Sequence, residues 1–195
     1  MRKNVREMVT AAVCLALCLL LPFLTGQIPQ WGNMLSPMHI PVLLCGLLCG
    51  WPYATLVGFI APALRFALFG MPPIMPTGAA MMVELAVYGL SASLLRRALP
   101  KRPAYLYVSL ILAMLLGRVA WGAARLALAG LNNGVFTFAE FLAGAFTSAI
   151  PGIICHIVLI PILVMALQRG GVVLNGAAVD APVGTRRAVS PHGAV

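Results

Sequence analysis

From Met38 to Leu95 the chain is almost continuously apolar, and no single element can hold that stretch. As one helix it would be about 87 Å long at roughly 1.5 Å per residue, or about three bilayer cores. It must therefore be cut, and the breakers show where. Gly50-Trp51-Pro52 is one cut, and the run from Gly70 to Pro76 (GMPPIMP) is the other. This predicts helices near 38–50, 52–69 and 77–96. The first is short for a full span, so it is expected to tilt or to re-enter, with its backbone shielded by protein.

The same reasoning extends to both sides. An apolar helix runs from about Met8 to Leu24 behind a basic start. No small-residue cleavage site follows it, so it reads as an uncleaved first span. Residues 26–37 make an uncharged loop. Beyond the basic segment Arg96–Arg102, a fifth helix is expected over 104–129 and a sixth over 138–167, kinked at Pro151 and Pro161. The expected architecture is an all-α membrane protein, a bundle of six transmembrane helices over residues 1–168. Residues 169–195, rich in Gly, Ala, Pro and Val, read as a disordered cytoplasmic tail.

Charge sets the expected orientation. Hydrophobic residues make up 62% of the 195 positions and charged residues 9%. Soluble domains carry roughly 25% charged residues, so water is the wrong solvent for this surface. The net charge of +9 does not point to nucleic acid, because ten of the thirteen cations flank the apolar segments. They are Arg2, Lys3, Arg6, Arg96, Arg97, Lys101, Arg102, Arg169, Arg186 and Arg187. With six spans and both termini in the cytoplasm, all of them fall on the cytoplasmic face, as the positive-inside rule requires. The expected location is a bacterial inner membrane. About 20 residues per span leave no room in this length for an ATPase domain.

Charges inside apolar spans are costly and are candidates for function. Arg65 lies in the third predicted helix and Glu84 in the fourth. Arg118 and Arg125 lie one heptad apart on the fifth, with Trp121 and Gly122 between them on about the same face. That stripe could wall a partly open cavity for a molecule with an anionic group and a planar or apolar part. Arg65 and Glu84 could instead pair with each other, and Arg125 could snorkel. His39 lies at the mouth of the second helix and could serve packing or binding. Glu140 fits a capping box with Thr137, and His156 fits a buried packing residue. The surplus of cations over Glu84 and Glu140 leans towards a carboxylate ligand, which arginine recognises in bidentate fashion.

Small residues recur every four positions at Ala12/Ala16, Gly46/Gly50 and Gly144/Ser148/Gly152, as helix association in lipid requires. Cys14, Cys18, Cys45, Cys49 and Cys155 all sit in apolar segments and read as small hydrophobes. There is no phosphate-binding loop and no zinc-protease motif. The run Gly89 to Ser93 (GLSAS) only loosely echoes a serine-nucleophile turn. No cofactor is expected.

The order of three blocks carries a resemblance. Met38 to Gly50 (MHIPVLLCGLLCG) is followed by Trp51 to Phe59 (WPYATLVGF), the proline-rich loop, and then Glu84 to Leu90 (ELAVYGL). Over about residues 5–168 the chain resembles the substrate-binding S component of energy-coupling-factor (ECF) vitamin importers. The resemblance implies capture of a small water-soluble vitamin from outside, and the arginine surplus with Trp121 favours a carboxylate such as pantothenate. The resemblance also implies docking through Ala12 and Ala16 onto a transmembrane coupling subunit, with ATP hydrolysed by two separate ATPases. The candidate substrate-binding residues, read from the polar groups inside the apolar spans, are His39, Arg65, Glu84, Arg118, Trp121, Gly122 and Arg125. A stand-alone transporter or channel, or an intramembrane enzyme, remains an alternative.

Overall fold

The computed structural model describes residues 2–25, 35–100, 102–131, 135–147 and 149–169. Most of the loop expected at 26–37, the turn at 132–134, Ser148 and the tail from 170 onward lie outside the described residues. Within them every regular element is helical. The elements are α1 (Arg2–Leu20, prolonged by a 3-10 turn, Leu21–Thr25), α2 (His39–Leu48), α3 (Trp51–Phe69), α4 (Ala79–Ala98), α5 (Pro103–Leu131), α6 (Phe138–Leu142) and α7 (Ile150–Arg169).

Among the described residues, five stretches are long and apolar enough to cross a membrane: Asn4–Phe23, Trp51–Phe69, Ile74–Ala98, Pro103–Leu131 and Phe138–Leu167. The remaining predicted span, the one near 38–50, is α2, a half-length helix of 10 residues, about 15 Å at the usual rise. Every one of its residues is buried. It packs on α1, α3, α4 and α7. A short helix survives at membrane depth because protein, not lipid, surrounds its ends.

The chain ends fall where the breakers predict. Pro52 sits in the first turn of α3, where its missing N–H costs nothing. Gly70 closes α3 in the left-handed conformation (φ 70°), its N–H donating to the Phe66 carbonyl. A wide turn, Ile74–Gly78, with Met75 extended, leads into α4. The final span differs from expectation. It breaks at a π-type turn, Ala143–Thr147, and Pro151 lies in the first turn of α7 rather than at a kink. Only Pro161 is inside the helix. Proline is tolerated where the N–H is already free, so Pro151 starts a helix here instead of bending one. The Gly144/Gly152 stripe is thus split between two elements. The capping box of α6 is present as expected: Glu140 N–H donates to Thr137 Oγ1 at 3.2 Å, and Thr137 N–H donates to Glu140 Oε2 at 2.9 Å.

Long-range contacts set the two ends of the bundle. At one end the Gly50 N–H donates to Glu7 Oε2 at 3.1 Å, and the Arg97 guanidinium lies beside Gly50. At the other, Arg65 near the end of α3 reaches the Leu19 carbonyl near the end of α1. The first four helices therefore alternate in direction, and α2 completes a descent despite its length. Gly50, expected in a helix–helix stripe, lies instead in the α2–α3 turn. α4 is the hub of the bundle, packing on α2, α3 and α5. Large apolar side chains such as Leu56, Phe59, Leu115, Val119, Ile154 and Val158 face outward, which suits lipid.

Candidate functional site

Glu84, one turn into α4, is almost fully buried (1% exposed). A carboxylate taken this far from water needs compensation, and α5, α4 and α2 each supply some. Arg118 Nη1 of α5 lies 3.0 Å from Glu84 Oε1. The Tyr88 hydroxyl, one turn along α4, donates to the same oxygen at 3.0 Å. His39 Nε2, on the first residue of α2, is 3.4 Å from it, close enough to feel the charge but not aligned for a hydrogen bond. Gly117 of α5 leaves room for the Tyr88 ring, which a side chain there would strike.

His156 of α7 closes the cluster. Its ring is nearly parallel to His39 (16°) with centroids 5.9 Å apart, and it interacts with the backbone of Leu35 and Ser36. Ser36 has a positive φ of 44°, unusual for a residue with a Cβ. Its carbonyl accepts the His39 N–H at 3.0 Å. Five polar side chains from four helices thus meet inside the bundle. Several of their buried atoms have no hydrogen-bond partner: both ring nitrogens of His39, Nε2 of His156 and Nε of Arg118. Buried polar atoms are nearly always satisfied, so such a concentration makes this cluster the candidate binding site.

The predicted stripe on α5 divides. Arg118 joins Glu84. Trp121 and Arg125 form a second, aromatic cluster with Phe136 and Phe141: the Arg125 guanidinium lies 5.9 Å from the Trp121 ring centre and 5.5 Å from that of Phe136, within cation–π range. Gly122, expected to be open, is covered by the Phe141 ring, and Gly144 fits against Trp121.

Arg65 does not pair with Glu84. It donates to the Leu19 carbonyl at 2.9 Å and packs against the touching rings of Phe23 and Phe69. That bond ties the end of α3 to the end of α1. Arg65→Ala is expected to lower stability in detergent by about 1.5–3 kcal/mol, the scale of a hydrogen bond to a charged group. Ligand affinity should stay within about threefold of wild type, or about 0.7 kcal/mol. A much larger loss in calorimetry would place Arg65 at the ligand after all.

Tyr88 and His156 were not among the residues singled out for binding. The signals were present: Tyr88 follows Glu84 by four residues, on the same helical face, and His156 is a polar group in mid-span. Ser91 and Ser93, the serine echo, lie inside α4 and donate to the carbonyls of Val87 and Cys49. Among the described residues no group of His, Cys, Asp and Glu is arranged to hold a metal ion.

Apolar helices long enough to cross a membrane surround a buried, charged and incompletely satisfied cluster. A family model described as ECF transporter, substrate-specific component, matches residues 6–174. The chain belongs to that family, whose members are transport subunits. No curated protein and no solved structure matches it.

Proposed function

We propose that this chain is the capture subunit of an ATP-driven ECF importer, and that it binds a small water-soluble vitamin or related nutrient at the Glu84–Arg118–His39–Tyr88–His156 cluster. The observation that carries this reading is the set of buried, unpartnered ring and guanidinium nitrogens around Glu84. A purely structural ion pair would have no use for them. Trp121 and Arg125, further along α5, are placed to line the approach.

The remaining roles follow from the exterior. Ala12 and Ala16 lie on the exposed face of α1 with Val5, Met8, Val9 and Val13. Small residues there let another helix approach closely, so this face is the proposed dock for the coupling subunit. ATP hydrolysis then belongs to partner ATPases. The end carrying Arg6, Arg97 and Arg102 faces the cytoplasm by the positive-inside rule.

A thermal-shift screen of the purified protein against water-soluble vitamins and their precursors tests the reading. A ligand at a hundredfold excess over its Kd stabilises the fold by about 2.7 kcal/mol. One or a few strong shifts are expected. A well-folded sample that responds to none of them would overturn nutrient capture. Uptake into vesicles without any ATPase would favour a stand-alone transporter.

A further inference from the structure

We propose that the group recognised at this cluster is an uncharged one carrying both a hydrogen-bond donor and an acceptor, of the amide, ureide or amino-heterocycle type, and not a carboxylate. The proposal rests on the reading of the cluster as the substrate site and deepens it.

Charge comes first. The cation surplus that favours a carboxylate in the sequence is dispersed in the fold. Arg65 is engaged by the Leu19 carbonyl and two phenylalanine rings. Arg125 is engaged by Trp121 and Phe136. The permanent charges in contact at the cluster are Glu84 and Arg118, 3.0 Å apart; His39 sits 3.4 Å from the same Glu84 oxygen, and with its ring neutral the two charges cancel. A carboxylate entering there would meet a guanidinium already neutralised and a second carboxylate beside it. Burying an uncompensated anion in a low-dielectric site is strongly unfavourable, and like charges in one site repel.

The unpartnered atoms give the complementary half. A neutral imidazole carries one N–H donor and one bare acceptor nitrogen. His39 Nε2 lies 3.4 Å from Glu84 Oε1, which calls for its N–H on that side, so Nδ1, which has no partner, is left as a bare acceptor. Arg118 Nε offers a donor, and His156 Nε2 offers a donor or an acceptor according to tautomer. A carboxylate only accepts, so it would leave the bare nitrogen of His39 buried and unsatisfied. An amide or ureide edge, or a ring nitrogen next to an amino group, presents donor and acceptor side by side and answers both. The Tyr88 hydroxyl, already donating to Glu84, holds the carboxylate in place without adding a charge.

The test uses the wild-type protein in detergent and matched probes: nicotinamide with nicotinate, pantothenol with pantothenate, and biotin amide with biotin. Uracil, cytosine, guanosine and riboflavin complete the set, read by thermal shift and then calorimetry. The expected result is at least one hit with no carboxylate, or one whose amide form binds within about tenfold of the acid. His156→Phe, in variant protein that remains folded, should then weaken that hit by about tenfold or more, the scale of a lost buried hydrogen bond. A hit that binds about a hundredfold more weakly once its carboxylate is amidated overturns the uncharged-ligand proposal and leaves nutrient capture standing. An uncharged hit unaffected by a well-folded His156→Phe variant overturns the proposal too. No hit from these probes or the wider vitamin screen sinks the capture reading, and the proposal falls with it.

Discussion

Glu84→Ala destabilises the folded bundle by about 3–5 kcal/mol, and Arg118→Ala does so by a similar amount, because each leaves its partner's charge buried and alone. Glu84 is 1% exposed and Arg118 7%, so neither can recover hydration without opening the helices. The double variant Glu84→Met/Arg118→Met behaves differently. Removing both charges and filling the space with apolar side chains is close to neutral for many buried pairs. It is expected to restore most of the stability lost in either single variant while ligand binding stays absent. Reversible unfolding in mixed micelles measures the first quantity, and calorimetry with the ligand found by screening measures the second. Strictly additive losses in the double variant would mean that the 3.0 Å contact carries no coupling. Retained binding in the double variant would remove the pair from the recognition site. The pattern expected here, stability regained and binding lost, separates a pair kept for function from one kept for folding.

How far such a site can be read without coordinates depends on the range of the contacts. Helix limits are local, and Gly50-Trp51-Pro52, Gly70 and the Thr137/Glu140 box mark them because each acts on its own backbone within one turn. Partnerships are not local. Arg65 and Glu84 look like natural partners on neighbouring spans, yet Arg65 meets the Leu19 carbonyl, 46 positions away. Arg118, Trp121, Gly122 and Arg125 share a face by periodicity. Periodicity does not say that Phe141 will cover Gly122 and thereby separate Arg118 from the aromatic end of the stripe. His156 reads as packing because its neighbours in sequence are apolar. Its role follows from the His39 ring stacked against it, which reaches that position from α2. The shortness of α2 was visible. Shielding of its backbone by protein follows from that shortness, but burial of all ten residues depends on the helices that come after it.

Widening the gap between α2, α3 and α4 is expected to abolish both the fold and the site, and the glycines at their crossings are where this can be done with one substitution. A Cβ on Gly89 would strike the Ala54 carbonyl of α3, and one on Gly58 would strike the Leu85 carbonyl of α4. A Cβ on Gly46 would come within 2.8 Å of Ala92 Cβ and 2.9 Å of the Gly89 carbonyl. In each case the obstacle includes backbone, which cannot rotate aside as a side chain can. Gly89→Ala should therefore cost about 1–3 kcal/mol as overpacking, outweighing the gain of about 1 kcal/mol that alanine brings to a helix interior. Gly89→Leu should leave little folded protein in detergent. Gly130, in the last turn of α5, supplies the control. A Cβ there meets nothing within 4 Å, so Gly130→Ala should be neutral or slightly stabilising in the same unfolding assay. Gly46→Ala carries the argument to the ligand, because the α2–α4 spacing that it sets is also the spacing that holds His39 3.4 Å from Glu84. That variant is expected to bind ligand at least about tenfold more weakly even where it remains folded. Wild-type affinity in folded Gly46→Ala would show that the cluster tolerates displacement, and so that recognition does not depend on the close approach of these helices.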